Sequence, residues 1–344
     1  MRLFPVATLL VVMSSTFVAC ASFSDSSTPS AVVDGGDDGS SGDTGQGGAT
    51  ESGGPDAGPG IVTIAQESAR TVSVAVNAQY IYWWSTDHSA IERVDKSDPL
   101  KVVAVATRLG QTVTAVAADG TGVYWLEAGP DENDGGAADN RIMRLGQTDP
   151  KPVALRTTTR ALSLLAVDAT RITTAVAGGV IGTSKNGAPF DYGFSLSPSA
   201  LAADGTNVYY IYFGIFRLTQ DGTTHNVISL SSPRELKVDG TTIYGFTPTD
   251  GGSAIFKADD NLSDQPQSAA TMVTQITGAP LFLAVDDLGL VWANASDGTI
   301  KRVARNGAAL PDVASGIQAP NSIAADARGV YWTTDTGAVG WAQR

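Results

Sequence analysis

A short pattern of apolar and polar positions recurs along the chain. It consists of an apolar run containing Ala, an acidic residue, a turn, and a second apolar run containing Tyr or Trp. The clearest copy is VAADGTGVYW at residues 116–125. Apolar and polar residues that alternate on both sides of a turn are typical of antiparallel strands. Asp-Gly at the turn favours a tight hairpin, because Gly accepts positive φ and Asp hydrogen-bonds its own backbone.

Seven copies of this pattern follow one another at intervals of 35 to 49 residues. A period near 40 residues built from short strands is typical of β-propeller blades, each a four-stranded sheet. The polar residues at the centres of the seven copies are Asn77, Asp119, Asp168, Asp204, Asp239, Asp286 and Asp326. The sequence therefore predicts an all-β fold, a seven-bladed β-propeller over residues 61–344.

The copy at Asp168 is the poorest, since Thr173 and Thr174 stand where the other copies have aromatic residues. The alternative is a six-bladed propeller with this copy as an insertion. The 85 residues between Asp119 and Asp204 favour two blades there. The last copy ends on its third strand, while an unassigned strand, IVTIA at residues 61–65, precedes the first copy. We therefore expect the N-terminal strand to complete the last blade and close the ring.

The N-terminus has the features of a secretory signal peptide over residues 1–19. Arg2 is followed by an apolar run over residues 4–13, which is too short to span a bilayer. Cys20, the single cysteine, follows Phe-Val-Ala and resembles the lipobox of bacterial lipoproteins, in which the cysteine is acylated with fatty acids such as palmitate. The alternative is an ordinary cleavage site with an incidental cysteine. Ala21 follows Cys20, and by resemblance to the usual sorting pattern this favours the outer membrane.

Residues 20–60 form a linker rich in Ser, Gly and Asp, with very few residues to bury, and we expect it to be disordered. The formal net charge of the chain is −13, and the linker contains seven of its 35 acidic residues and no Lys or Arg. The remaining domain is moderately acidic and has no basic stripe. This excludes nucleic acid as a partner and leaves the lipid anchor as the only membrane contact.

The Tyr-Trp copies, above all VYWTTD at residues 330–335 and IYWWSTD at residues 81–87, resemble the YWTD repeats of lipoprotein-receptor propellers and the related NHL-type propellers. The resemblance covers residues 61–344. It implies a domain that binds a protein or peptide through one face or the central channel.

Acidic residues cluster in the loops after the Tyr-Trp strands and in the loops that enter the inner strands. In a blade these loops share one face, because antiparallel strands alternate in direction. We predict an acidic face that binds a cation or a basic partner, the alternative being solvated turn residues. Its candidate residues are Asp87, His88, Asp131, Glu132, Asp134, Asp139, Asp250, Asp297 and Asp335.

The longest of these loops, residues 129–139, contains a weak calcium candidate formed by Asp131, Asn133 and Asp134. It begins as a calcium-binding loop does, but Ile142 occupies the position that requires Glu. The sequence therefore predicts no cofactor beyond weakly bound Ca²⁺.

An enzyme is the alternative to a binding module. The chain resembles streptogramin lyases in its seven blades, and that family uses histidine chemistry with a metal. Here only His88 and His225 occur, and the strand pattern places them on opposite faces without a metal-ligand partner at useful spacing. A carboxylate-based hydrolase or lyase is a further alternative, although no motif supports it. We predict a monomeric, lipid-anchored envelope propeller that binds an unidentified protein or peptide and is not an enzyme.

The predicted anchor depends on one side chain. Replacing Cys20 by Ala removes the acyl acceptor, so we expect the variant to lose incorporation of labelled palmitate completely, while a Ser24→Ala control keeps it. Labelling that continues in Cys20→Ala would contradict acylation at this residue.

Overall fold

The computed structural model describes residues 60–107, 112–129, 139–192, 197–263 and 269–343. These residues form 27 β-strands and no helix. No helix in the described part of the chain is therefore long and apolar enough to cross a membrane. The predicted signal peptide, Cys20 and the predicted linker up to residue 59 lie outside the described residues.

The strands form seven antiparallel sheets, the blades, which follow one another along the chain. Blade 1 contains β2 (Thr71–Val76), β3 (Tyr80–Ser85), β4 (Ala90–Asp95) and β5 (Asp98–Ala106). Blade 2 contains β6 (Thr112–Asp119), β7 (Gly122–Ala128), β8 (Asn140–Gly146) and β9 (Val153–Thr158). Blade 3 contains β10 (Leu162–Val167), β11 (Arg171–Val176), β12 (Gly179–Ser184) and β13 (Pro189–Tyr192). Blade 4 contains β14 (Leu201–Ala203), β15 (Val208–Ile211), β16 (Ile215–Leu218) and β17 (Thr224–Ile228).

The last three blades vary more in strand number and connection. Blade 5 contains β18 (Arg234–Asp239), β19 (Thr242–Thr249), β20 (Gly252–Asp259) and β21 (Thr271–Ile276). Blade 6 contains β22 (Pro280–Val285), β23 (Leu290–Asn294) and β24 (Thr299–Val303). Blade 7 contains β25 (Pro320–Asp326), β26 (Gly329–Thr334) and β27 (Ala338–Gln343), and its outer strand is β1 (Ile61–Gln66).

The first strand of each blade is the innermost one, and it contacts the first strands of the blades before and after it. The circle includes β2 of blade 1 against β25 of blade 7, so the ring is closed. β1 pairs antiparallel with β27, Ile61 opposite Ala342 and Thr63 opposite Gly340. Both the seven-bladed propeller and its closure by the N-terminal strand are confirmed.

The central residue of each repeat holds the turn between the first and second strands. In six blades its Oδ1 accepts hydrogen bonds from the backbone N–H groups two and three residues further on, as Asp119 does from Thr121 (2.7 Å) and Gly122 (3.2 Å). The exception is the turn after Asp239, where Gly240 takes a φ of +59°. An Asx-type turn or a glycine with positive φ thus makes each hairpin tight.

The core consists of seven apolar clusters, one at each junction between neighbouring blades. The aromatic residues of the second strands fill these junctions. Trp83 and Tyr331 meet between blades 7 and 1, and Trp125 packs between blades 1 and 2. Burying a large apolar side chain contributes about 1.5–3 kcal/mol, so inter-blade packing is the main stabilising interaction of the ring.

Ion pairs join neighbouring blades on the face that carries the central Asp residues. Lys96 of blade 1 pairs with Asp326 of blade 7, and Lys185 of blade 3 pairs with Asp119 of blade 2. Arg217 of blade 4 contacts Asp260 of blade 5 at 2.7 Å. The Lys96 side chain is fully buried, and this burial lowers its pKa. These pairs add directional contacts to the apolar packing of the junctions.

Two blades differ from the repeat that the sequence predicts. The copy at Asp168 forms a complete blade 3 in which Thr173 and Thr174 are buried, so the six-bladed alternative is wrong. Blade 6 lacks the expected fourth strand. Only two isolated bridges, Ile300 to Ala314 and Val303 to Ala309, lie along its outer edge.

The closing blade makes a sharp packing prediction at Gly340, which pairs with Trp332. A Cβ at Gly340 would lie 2.2 Å from Trp332 Cε2, whereas a Cβ at Gly120 would meet nothing within 4 Å. We expect Gly340→Ala to lower the free energy of unfolding by about 1–3 kcal/mol, the usual cost of overpacking. Gly120→Ala is the matched control and should leave the denaturant midpoint nearly unchanged. Equal midpoints for both variants would contradict this packing.

Candidate functional site

The turns between the second and third strands of each blade share one face with the connections between blades. We call this face the loop face. Its two sets of loops touch directly: Thr86 Oγ1 in a turn of blade 1 donates a 2.6 Å hydrogen bond to the Arg70 carbonyl in the connection from blade 7. Asn321 Nδ2, near the start of β25, donates to Asp335 Oδ1 in the turn of the same blade at 2.9 Å.

The loop face carries the described members of the predicted acidic site, all of them exposed. They are distributed over five blades, and among them only Asp87 and His88 lie in one turn. The members that the structure describes are Asp87, His88, Asp139, Asp250, Asp297 and Asp335. The remaining predicted residues, Asp131, Glu132, Asn133 and Asp134, lie outside the described residues, so the calcium candidate stays a prediction.

Several of these carboxylates already have partners. Asp335 pairs with Arg70 at 2.6 Å, and Asp297 lies 3.4 Å from Lys301 Nζ. Asp87 Oδ2 accepts hydrogen bonds from Ser68 Oγ (2.8 Å) and from the backbone N–H of Ser68 (2.6 Å), and these bonds lower its pKa. The loop face is therefore not the uniform acidic patch that the sequence predicts, because several of its carboxylates have partners within the protein.

A tighter cluster lies beneath His88. One donor atom from each of Glu67, His88 and Glu92 lies within 4.8 Å of the others. His88 Nδ1 is 2.7 Å from Glu92 Oε1, and Ser85 Oγ donates to Glu67 Oε2 at 2.8 Å. Glu67 comes from the connection between β1 and β2, His88 from the turn after β3, and Glu92 from β4. Two blades thus meet at this cluster.

The two glutamates are buried, with 9% of Glu67 and 4% of Glu92 exposed, while the His88 side chain is largely in solvent. Burial raises the pKa of Glu67, although hydrogen bonds from Trp83 Nε1 and Ser85 oppose this, and the nearby charge of Glu92 adds to it. The hydrogen bond to Glu92 raises the pKa of His88. The cluster therefore combines two carboxylates that repel each other with an imidazole that faces solvent.

Ser85, His88 and Glu92 do not form a nucleophilic triad. Such a triad uses both imidazole nitrogens, one toward the serine and one toward the carboxylate. Here Ser85 Oγ (3.2 Å) and Glu92 (2.7 Å) both lie against Nδ1, and Ser85 is fully buried. This arrangement gives the hydroxyl neither a general base of the usual geometry nor access to a substrate.

Sequence reasoning missed Glu67 and Glu92, because it sought partners for His88 along the chain. A signal was present in the repeats. Glu92 lies opposite Trp83 on the neighbouring strand. The residues at the corresponding position of the other six blades are Met143, Ile181, Phe216, Phe256, Lys301 and Gly340. At this position of the third strand, four of the other blades have an apolar side chain, and blade 1 is the one blade that has an acidic residue.

A second feature of the loop face is Phe213, at the turn between β15 and β16. Its side chain is 87% exposed, and its φ of +51° lies in the left-handed region that bulky residues rarely adopt. Tyr212 packs edge-on against its ring at 4.8 Å between centroids. No pattern in the sequence marks this residue, because a single apolar residue in a turn has no periodic signal.

Comparisons with solved structures support the propeller fold. No protein-family model matches the sequence, and no curated protein matches it. The chain is similar to the computationally designed protein Ika8, with 16% identity and a TM-score of 0.58 over 83% of this chain and 100% of that one. It is also similar to PorZ of Porphyromonas gingivalis, an essential bacterial surface component of the type-IX secretion system. That match has 13% identity and a TM-score of 0.58 over 81% of this chain and 37% of that one.

A weaker similarity is to BamB from Moraxella catarrhalis, with 13% identity and a TM-score of 0.48 over 80% of this chain and 85% of that one. At these identities the similarities to Ika8 and PorZ show the fold alone. Seven sheets around a closed ring define the class of this protein as a seven-bladed β-propeller.

The contact between His88 and Glu92 makes a prediction about pH. In metal-free protein we expect His88 to titrate above the ordinary histidine pKa of about 6.5, and Glu92→Gln to lower that pKa. Protonated His88 then stabilises the fold below the unfolded-state pKa, and this contribution is lost as the pH rises through the raised pKa. NMR titration of the imidazole protons measures the effect, with His225→Gln assigning the two signals. A pKa that does not change in Glu92→Gln would contradict the contact.

Proposed function

We propose that this protein is a lipid-anchored module of the cell envelope that binds a protein or peptide through its loop face and acts as a scaffold, without catalysis. The anchor is acylated Cys20 at the outer membrane, and residues 21–60 serve as a tether. The propeller itself is monomeric and contacts the membrane only through the lipid.

The exposure and backbone conformation of Phe213 are the main support for a binding role. A left-handed backbone costs a non-glycine residue about 1–2 kcal/mol, and a ring that is 87% exposed gains little from burial in the free protein. Strained residues and exposed aromatic side chains are both typical of recognition sites, where the ring becomes buried against a partner. The corresponding turn of the neighbouring blade 5 carries the exposed Asp250, and exposed polar residues of this kind are typical of the rim of an interface.

The location rests on the sequence of the N-terminal segment. Cys20 is the chain's single cysteine and follows the apolar run of a signal peptide. The similarity to PorZ supports the fold and does not extend to location or partner. If the Ser-, Gly- and Asp-rich tether behaves as the flexible coil that its composition predicts, its roughly 40 residues would hold the propeller about 35 Å from the lipid headgroups, far enough to reach a partner in the envelope.

The positions of the histidines favour binding over catalysis. His88 lies on the loop face of blade 1, whereas His225 lies on β17, the outer strand of blade 4. Two general acid–base groups must approach the same substrate to act together. Residues in these two blades, separated by blades 2 and 3, do not meet that requirement. A carboxylate-based reaction has no specific support in the described geometry.

The test is site-specific photo-crosslinking in intact envelopes, with a photoreactive phenylalanine analogue at residue 213. We expect a discrete crosslinked partner that is lost when unlabelled peptide from that partner competes. Leu262 is the matched control, because it is also apolar, 53% exposed and left-handed (φ +60°), but it lies on the opposite face.

A partner captured from residue 213 and absent from residue 262 supports the proposal, and Phe213→Ala should weaken the purified complex at least about tenfold. A partner captured from residue 262 alone would contradict the proposal that the loop face is the binding surface. An envelope in which neither position yields a specific partner would reject the binding role.

A further inference from the structure

We propose that Glu67, His88 and Glu92 form a zinc site that joins blade 1 to the connection from blade 7. No part of the binding role proposed above requires this site. Two carboxylates and one imidazole are three ligands of the kinds that zinc takes, and a site of three protein ligands leaves one position for water.

The buried charge is the first argument. Glu67 and Glu92 have their donor atoms within 4.8 Å of each other and are both more than 90% buried. Among the described residues, neither forms an ion pair with a lysine or arginine, and Glu92 has a single side-chain hydrogen-bond partner, His88. Buried carboxylates are costly unless they are paired or bind a metal. A divalent cation would neutralise both.

The second argument is that Glu92 interrupts the repeat. The three blades that follow blade 1 place Met143, Ile181 and Phe216 at the same position, where they add to the apolar packing. A glutamate there loses that packing and must be desolvated. Ring architecture does not require it, so a local ligand explains it better than the fold does.

The donor set selects the metal. Imidazole favours zinc and other transition metals, while Ca²⁺ takes six to eight oxygen ligands. On a tetrahedral zinc ion with bonds of about 2.0–2.2 Å, neighbouring donors lie about 3.3 Å apart. Donors that lie up to 4.8 Å apart must therefore approach one another by roughly 1.5 Å at most. His88 Nδ1 and Glu92 Oε1, now 2.7 Å apart in a hydrogen bond, must separate by about 0.6 Å as the metal replaces the proton between them. The exposed imidazole of His88 has room to make this adjustment once its contacts with Glu92 and Ser85 give way to the metal.

Hydrogen bonds already position the carboxylate of Glu67. Trp83 Nε1 donates to Oε1 at 2.9 Å and Ser85 Oγ donates to Oε2 at 2.8 Å, while the Glu67 backbone N–H donates to the Gly337 carbonyl at 2.9 Å. In metal sites, hydrogen bonds from neighbouring residues to a ligating side chain orient that side chain toward the metal. Since the Trp83 indole contacts the carboxylate directly, its fluorescence would report binding.

The experiment is a zinc titration of the EDTA-treated full chain, followed by calorimetry and by tryptophan fluorescence. The chain contains Cys20→Ala, so that no thiol competes, and no histidine tag. We expect one Zn²⁺ per chain, binding with a Kd in the micromolar range or below, and a higher melting temperature with zinc. Glu92→Gln and His88→Ala should each weaken binding at least about tenfold.

The matched controls are His225→Ala and Asp297→Asn, which remove the other histidine and an exposed carboxylate in the corresponding turn of blade 6. Both should bind zinc as the parent does. His88 is exposed, so His88→Ala decides the matter if Glu92→Gln fails to fold. Zinc binding unchanged in His88→Ala, no stoichiometric binding in the parent, or Ca²⁺ binding as tight as that of Zn²⁺ would each overturn the assignment.

Discussion

The pairing of β1 with β27 is the constraint on which the ring depends. The chain itself crosses six of the seven junctions between blades as it passes from one blade to the next. The junction between blades 7 and 1 has a covalent connection only because β1 belongs to blade 7 and β2 to blade 1. Ile64 of β1 also packs in the apolar cluster at this junction, with Trp83 and Tyr331. One strand thus provides backbone pairing, apolar contact and a covalent tie.

Other polar contacts collect at the same junction. Ser322 Oγ of blade 7 accepts a hydrogen bond from Val74 N of blade 1 at 3.0 Å. Lys96 pairs with Asp326 on the far face, and Glu67 lies on the loop face. Closure also holds Glu67 in place, since its backbone N–H donates to the Gly337 carbonyl of blade 7 at 2.9 Å, and it thereby helps to position one ligand of the candidate metal site.

The fold was largely predictable, because each repeat carries its own local signals. The central Asp, the Tyr-Trp strand and the period near 40 residues specify a blade without reference to its neighbours. Residues 304–319, by contrast, contain Pro311 and form only two bridges instead of a fourth strand. Contacts between blades were not predictable. Arg70 pairs with Asp335 because ring closure joins positions far apart in the chain, and Glu67 lies beside Glu92 although no local pattern relates the two positions.

Hydrogen exchange of the intact protein, followed by mass spectrometry, tests ring closure most directly. If β1 is the outer strand of blade 7, the amides of Ile61–Gln66 that pair with β27 will exchange as slowly as amides in other outer strands such as β5 and β9. Exchange of this segment at the rate of an unstructured peptide, while the other blades stay protected, would contradict the closed ring.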